Sequence, residues 1–439
     1  MLYSALMLFS RRTPVLLLVC AAALMGAAQW RAYNYDESKV GTYTLPDPLI
    51  AESGKPVRTA EEWQTIRRPE LIKLFETQMF GRTPAGRTTA RIQVMSEPAQ
   101  AGEVKALRKQ VTLAFGGPDG PTLHLLLYVP ANAPGPAPVF LGLNFGGNHT
   151  VASDPGIALH DTWVHDANAG ARLVRRMPVE SSRGSNASAW QVPKLLARGY
   201  GLATIYYGDI EPDFDGGLPY GVRGLFLKPD QTRFDDDEWG ALAAWGWGLS
   251  RAMDYLATDA AVDAHRVALI GHSRLGKAAL WASALDPRFA LVISNESGEG
   301  GAALSRRDYG ETIEHLNVAF PHWYCRNYRQ YTGHPERLPF DSHELLALTA
   351  PRPLYVASAE GDQGSDPKGE FLGALHAGPV YRLFGKQGLD AAEMPSLHQP
   401  IMHDIGYHIR AGKHDVTDYD WEQYLRFADL HLGEAQRKP

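Results

Sequence analysis

Three stretches of the chain carry almost no polar residue: LHLLLYVP (123–130), PVFLGLNF (138–145) and YGLATIYYG (200–208). Runs of that length without alternation predict strands covered on both faces. The two segments before them behave differently. TARIQVMSE (89–97) and VKALRKQVTLAFG (104–116) alternate apolar with polar positions, which predicts half-exposed strands at the edge of a sheet. Beyond residue 238 the pattern becomes strand–helix alternation. A helix over 238–258 leads to a strand at 266–271, a helix at 273–285 and a strand at 289–294. A helical or irregular insert fills about 300–349, and then come a strand at 353–359, a helix at 368–375 and a short strand at 406–410. The last helix starts after Thr417, whose spacing to Asp420 matches a capping box. Nearer the N-terminus, residues 29–60 show no periodicity and read as an extended lead-in. Thr59 is a plausible cap for a helix that Pro69 interrupts or restarts.

The segment VALIGHSRLGKAALWA (267–282) places a serine where a strand turns into a helix. The order is Gly271-His272-Ser273-Arg274-Leu275-Gly276, so the second glycine comes one residue later than in G-x-S-x-G. Ser273 can cap the helix, or it can present a nucleophilic hydroxyl above the sheet. Three neighbours favour the nucleophile. Gly271 leaves room for a tight elbow, Gly276 lets helix and strand approach, and Arg274 sets a permanent cation beside the hydroxyl. The backbone N–H of Arg274, and its guanidinium, would suit an oxyanion; the plainer alternative is a surface salt bridge. Together with the strand pattern this predicts an α/β-hydrolase fold: a mostly parallel central sheet in a three-layer α/β/α sandwich, with residues 61–435 as a single catalytic domain.

Sixteen histidines make any one of them uninformative by itself. Position selects His414, on the loop AGKHD between the last strand and the last helix. His408 lies within the strand and reads as packing, while His398 and His403 precede it. The acid stays open at this level: Glu360 and Asp362 follow strand 353–359, and Glu296 follows strand 289–294.

The 439 residues carry a formal charge of −6, with no basic patch to suggest nucleic acid or an anionic membrane. Arg11-Arg12 followed by a short Ala-rich apolar run marks residues 1–28 as an export signal, with an uncleaved membrane anchor as the alternative. That predicts a secreted or periplasmic protein. Removing the signal takes Cys20 with it and leaves Cys325 alone, so no internal disulfide can form. No CxxC, HExxH or Cys/His cluster is present, and no metal or other cofactor is expected.

Gly271-His272-Ser273-Arg274 with Gly276-Lys277, followed by Glu296-Ser297-Gly298, resembles the glucuronoyl esterases of carbohydrate esterase family 15, bacterial branch. The likeness runs from about residue 67 to 432. It implies a serine esterase acting on esters of glucuronic or 4-O-methylglucuronic acid, such as the links between glucuronoxylan and lignin, and needing no cofactor. Carried over by position, it implies Ser273 as nucleophile, His414 as base and Arg274 as oxyanion stabiliser. Glu296 is the first choice of acid, with Asp362 assisting or substituting. Lys277 and Glu311 are implied as ligands of sugar hydroxyls. One departure stands out: bacterial members commonly carry D-Q-W where this chain has Asp362-Gln363-Gly364, so ring stacking must be weaker or come from Trp323 or Trp190. The competing readings are an acetyl xylan esterase and an exported, non-catalytic carbohydrate-binding relative. A monomer is expected, with a polysaccharide ester as its partner.

Overall fold

The computed structural model describes residues 32–84, 89–166 and 172–433, so the predicted export signal lies outside the described residues. The unit that carries the site begins at Asn34. Its main sheet has ten strands in the order β1-β2-β3-β7-β4-β8-β9-β10-β12-β11. The first three are β1 (Arg91–Ala101), β2 (Val104–Ala114) and β3 (Thr122–Pro130), an antiparallel meander. The parallel centre is β7 (Gly201–Tyr206), β4 (Ala137–Asn144), β8 (Val262–His272), β9 (Leu291–Asn295), β10 (Leu354–Ala359) and β12 (Ile405–Arg410). The far edge is the two-residue β11 (Ile401–Met402). A separate hairpin, β5 (Thr162–Asp166) with β6 (Arg172–Arg176), lies in the long β4–β7 connection, where the sequence pattern predicted nothing.

The unbroken apolar runs follow from burial on both sides. Along β10, Leu354 and Val356 join one core, while Tyr355 and Ala357 join the other. Helices α1 (Arg68–Gln78), α3 (Ala241–Leu256), α4 (Arg274–Leu285) and α5 (Pro367–Leu383) contribute to the first core. Helices α2 (Val192–Ala197) and α6 (Asp418–Leu432) contribute to the second. This is the three-layer α/β-hydrolase sandwich.

Two local expectations resolve in physical detail. Thr59 and Glu62 form a reciprocal capping box, and the chain then passes through a π turn, Trp63–Arg67, before α1. The N–H of Arg68 reaches back five residues to Trp63, so Pro69, which has no N–H to offer, enters at the start of a new helix. At the other end Thr417 and Asp420 form the predicted box at the start of α6. Helix α5 runs well past the predicted 368–375 and carries Pro379 inside it. Among the described residues no helix is long and apolar enough to cross a membrane.

Candidate active site

Ser273 stands between β8 and α4 at φ 57°, ψ −134°, a strained conformation for a residue with a Cβ. Its hydroxyl makes no capping bond to the helix it precedes, which sets aside the plain capping role. The N–H donates to the carbonyl of Asn295 at 2.9 Å, which ties the elbow to the end of β9. Both glycines are accounted for by space. A Cβ on Gly271 would collide with the carbonyl of Leu275. One on Gly276 would sit 2.9 Å from the Ser297 Cβ and 3.0 Å from the Gly271 carbonyl oxygen. The late glycine is thus where α4 touches the segment that carries Glu296.

His414 sits on the β12–α6 loop. Its Nδ1 faces two carboxylates, Asp362 Oδ2 at 2.6 Å and Glu296 Oε2 at 3.1 Å. Glu296 is buried, has a positive φ of 47°, and is otherwise committed: Arg410 donates to Oε1 at 2.6 Å and the Asp415 N–H to Oε2 at 2.9 Å. Burial pushes its carboxyl up to about 7, against the pull of His414 and Arg410. Burial also acts upward on Asp362, but the bond and charge of His414 outweigh it and hold this carboxyl below its ordinary value. At neutral pH Asp362 is therefore the fully ionised acceptor and the one with the shorter contact. His414 itself is pushed down by burial, yet the two carboxylates win and raise it to about 9.

Several supporting groups have no motif in the sequence. Arg410 is buried and fixes the His414 loop, donating to the carbonyls of Lys413 at 3.0 Å and Asp415 at 2.6 Å while also pairing with Asp420 at 2.7 Å. Asp213 holds the guanidinium of Arg274 and accepts from Trp323 Nε1 at 2.7 Å, with His322 Nε2 at 2.8 Å. Arg274 lies 4.8 Å from the ring centre of Trp323 and 5.1 Å from that of Phe320. Its guanidinium thus has a largely buried carboxylate and an aromatic pair as neighbours. Asp213 is 61 residues away in sequence, and no spacing rule could have found it. His272 lay within the motif and could have been weighed. Its Nδ1–H donates to Asn295 Oδ1 at 2.6 Å, and burial with the charge of His414 pushes it down to about 3.

His272, Glu296 and His414 bring one ligand atom each within 4.8 Å of one another. The two imidazoles lie 4.4 Å apart at 37°, closer to face-on than to converging on a point. In each ring it is Nδ1 that is engaged, that of His272 with Asn295 and that of His414 with the two carboxylates.

Ser273, Arg274 and His414 open onto a cavity of about 380 Å³ whose remaining wall is largely apolar, including Leu143, Phe145, Trp190 and Val416. Lys277 and Glu311 do not line it. Lys277 is buried and donates to the Ser297 carbonyl at 2.6 Å, with burial holding its ammonium below the usual lysine value. Glu311 is half-buried, and its N–H donates to the Gly364 carbonyl at 2.9 Å. Of the two tryptophans considered for stacking, Trp323 is buried against Phe320 at 3.8 Å, whereas Trp190 faces the cavity. Over Gly364 the space is open: a Cβ there would meet only Asp362 Oδ1, at 3.9 Å.

A family profile described as glucuronyl esterase, fungi, matches residues 232–385. A prokaryotic protein named carbohydrate esterase MZ0003 is 48% identical over 431 residues, 96% of this chain and 99% of its own. The solved structure of a glucuronoyl esterase from Solibacter usitatus is 57% identical, with a TM-score of 0.86 over 90% of this chain and all of the other. The chain belongs to the glucuronoyl esterases. It is a carboxylic ester hydrolase, and the resemblance carried by the Ser-Arg elbow and the Glu-Ser-Gly segment holds across the whole described unit. A more distant relative of this glucuronoyl esterase, 27% identical over 77% of the chain, is the 4-O-methyl-glucuronoyl methylesterase of Schizophyllum commune.

Proposed function

We propose that the enzyme hydrolyses esters formed on the carboxyl group of glucuronate or 4-O-methylglucuronate residues, with Ser273 as nucleophile. His414 takes the hydroxyl proton as Ser273 Oγ bonds to the uronoyl carbon. The Arg274 N–H, which has no acceptor inside the helix it begins, meets the oxyanion, and the guanidinium held by Asp213 adds positive charge nearby. Collapse breaks the bond to the alkoxy oxygen, which leaves with the proton from His414. Water then attacks the acyl-enzyme by the same route and releases the uronic acid. Asp362 is the principal acid on His414 Nδ1; Glu296, already engaged by Arg410, fixes the loop and shares the proton. Lys277 and Glu311 belong to the acyl side, where the sugar lies.

The observation that carries this reading is the double carboxylate clamp on His414 beside an uncapped serine at φ 57°. The alcohol half of the ester has the apolar cavity as its place, and that lining argues against an acetyl xylan esterase, in which the sugar itself would be the alcohol. Residues 1–28 are read as the export signal, residues 29–60 as the lead-in and 61–435 as one catalytic domain working outside the cytoplasm.

Hydrolysis of benzyl glucuronate beside an acetylated sugar ester, with wild type and Ser273→Ala, tests the reading. Preferential cleavage of the uronate ester, abolished in the variant, is expected. Cleavage of the acetyl ester alone would overturn the substrate, and no turnover of either would favour a binding protein.

A further inference from the structure

A second cavity, of about 360 Å³, is lined in part by residues of the loop that carries Asp362. Tyr309, Glu360, Gln363, Asp366, Lys368 and Leu397 are among its lining residues. Two links tie it to the loop of Asp362 and to the Glu311 segment. Glu360 and Gln363 flank Asp362 in sequence, and Tyr309, two residues before Glu311, bonds to Gln363 through its hydroxyl. Glu311 in turn is hydrogen-bonded through its N–H to Gly364.

The wall is built rather than incidental. Glu37 of the N-terminal lead-in grips Arg307 with both oxygens, at 3.0 and 2.6 Å, and Lys368 at 2.6 Å. Asn34 pairs with Gly310 in an antiparallel bridge, and Asn34 Nδ2 donates to the Asp308 carbonyl at 2.9 Å. Arg307 Nε reaches Asp366 Oδ2 at 2.7 Å. The other oxygen, Asp366 Oδ1, is buried and has no hydrogen-bond partner among the described residues, although its residue is only 3% exposed. The charge of Arg307 on the partner oxygen offsets the cost of that unpaired one and holds this wall in place.

Three acids, Glu37, Glu360 and Asp366, face two bases, Arg307 and Lys368, so the charged lining nearly balances. That suits neither a strong anion nor a cation. It suits a neutral molecule rich in hydroxyls, with the Tyr309 ring and the apolar Leu397 to cover C–H faces. We propose that this cavity is a saccharide subsite, holding a neutral pyranose of the polymer that bears the esterified uronate. The proposal rests on the function proposed above, in placing the polymer on the side of Glu311 and the alcohol in the apolar cavity.

The test has two arms. Calorimetry with xylotetraose on wild type, Tyr309→Ala and the cavity-filling Leu397→Trp reads the subsite without turnover. Binding to wild type that falls about fivefold or more in either variant is expected, the loss of one stacking contact. Binding that is equal in all three, or absent in wild type at about 10 mM, would overturn the proposal. The second arm compares kcat/KM for a methyl uronate ester carried on a xylo-oligosaccharide with that for methyl glucuronate. The ratio should exceed one in wild type and drop about threefold or more in both variants; an unchanged ratio would overturn the subsite. Failure of wild type on both esters would instead overturn the proposed function, and calorimetry would still decide the subsite.

Discussion

At the residue scale the site turns on one imidazole between two carboxylates of unequal state. His414 works as a base only when neutral, and its raised value of about 9 means that kcat/KM should climb with pH until roughly that point. Asp362→Asn removes the charge that holds the proton. The acid limb should move to lower pH, while the rate falls about 10²-fold or more because the ring loses its tautomer control. Glu296→Gln should shift the limb less, since Arg410 and the Asp415 N–H already occupy that carboxylate. A pH–rate profile for each variant checks the order; a larger loss in Glu296→Gln would reverse the assignment of roles. Asp213 gives a second residue-level expectation. Burial alone would raise it, but His322, Arg274 and Trp323 pull its carboxyl down to about 2 from 3.8. The depressed value means stability that is present above about 3.8 and lost as pH falls towards 2, worth ~2 kcal/mol. Asp213→Asn should flatten the acid limb of a Tm-against-pH curve and, by loosening Arg274, lower kcat more than it raises KM.

At the scale of elements the elbow is the sensitive joint. Gly276→Ala places a Cβ against Ser297 and Gly271, and neither neighbour is the free end of a flexible side chain. The expected cost is about 1–3 kcal/mol of stability with at least a tenfold loss of kcat, measured by urea denaturation and by ester hydrolysis. This joint was legible in sequence, because strand periodicity, glycine spacing and the lone serine all act within a few residues of one another. The parallel strands and the loop bearing His414 were legible for the same reason: burial on both faces writes itself into composition, and fold position selected the histidine. The hairpin β5–β6 was not, since it packs few apolar groups of its own and relies on distant partners. Trp163 of that hairpin donates its N–H to Tyr206 Oη at 3.1 Å and rests on Phe214, 5.2 Å away. Asp213 and Arg410 were illegible too, because a buried charge is chosen by three-dimensional neighbours rather than by any local period.

At the scale of the molecule the two cores are stapled together through charge. Arg410 ends the last parallel strand and joins Glu296 just past β9, Asp420 from α6 and the backbone of the His414 loop. Arg410→Leu removes the cation shared by two buried carboxylates, leaving Glu296 to His414 and Asp420 to His408, and should cost about 3–5 kcal/mol, read as a drop in the denaturation midpoint. Leucine at 410 with glutamine at 296 and asparagine at 420 should recover part of that loss, because neutral partners remove the stranded charge. The single described cysteine, Cys325, is buried, and burial pushes its thiol up to about 11, so alkylating reagents should leave the folded enzyme active.

The open space above Gly364 has a kinetic side as well. A ring that nothing clamps from that direction is held by hydrogen bonds alone, and such bonds are readily exchanged for water. The acid released from the acyl-enzyme should therefore depart quickly. Free glucuronate should be a poor inhibitor, and accumulating product should scarcely slow the later stages of a digest. Gly364→Trp should tighten the hold on substrate and trade that freedom for a slower exit.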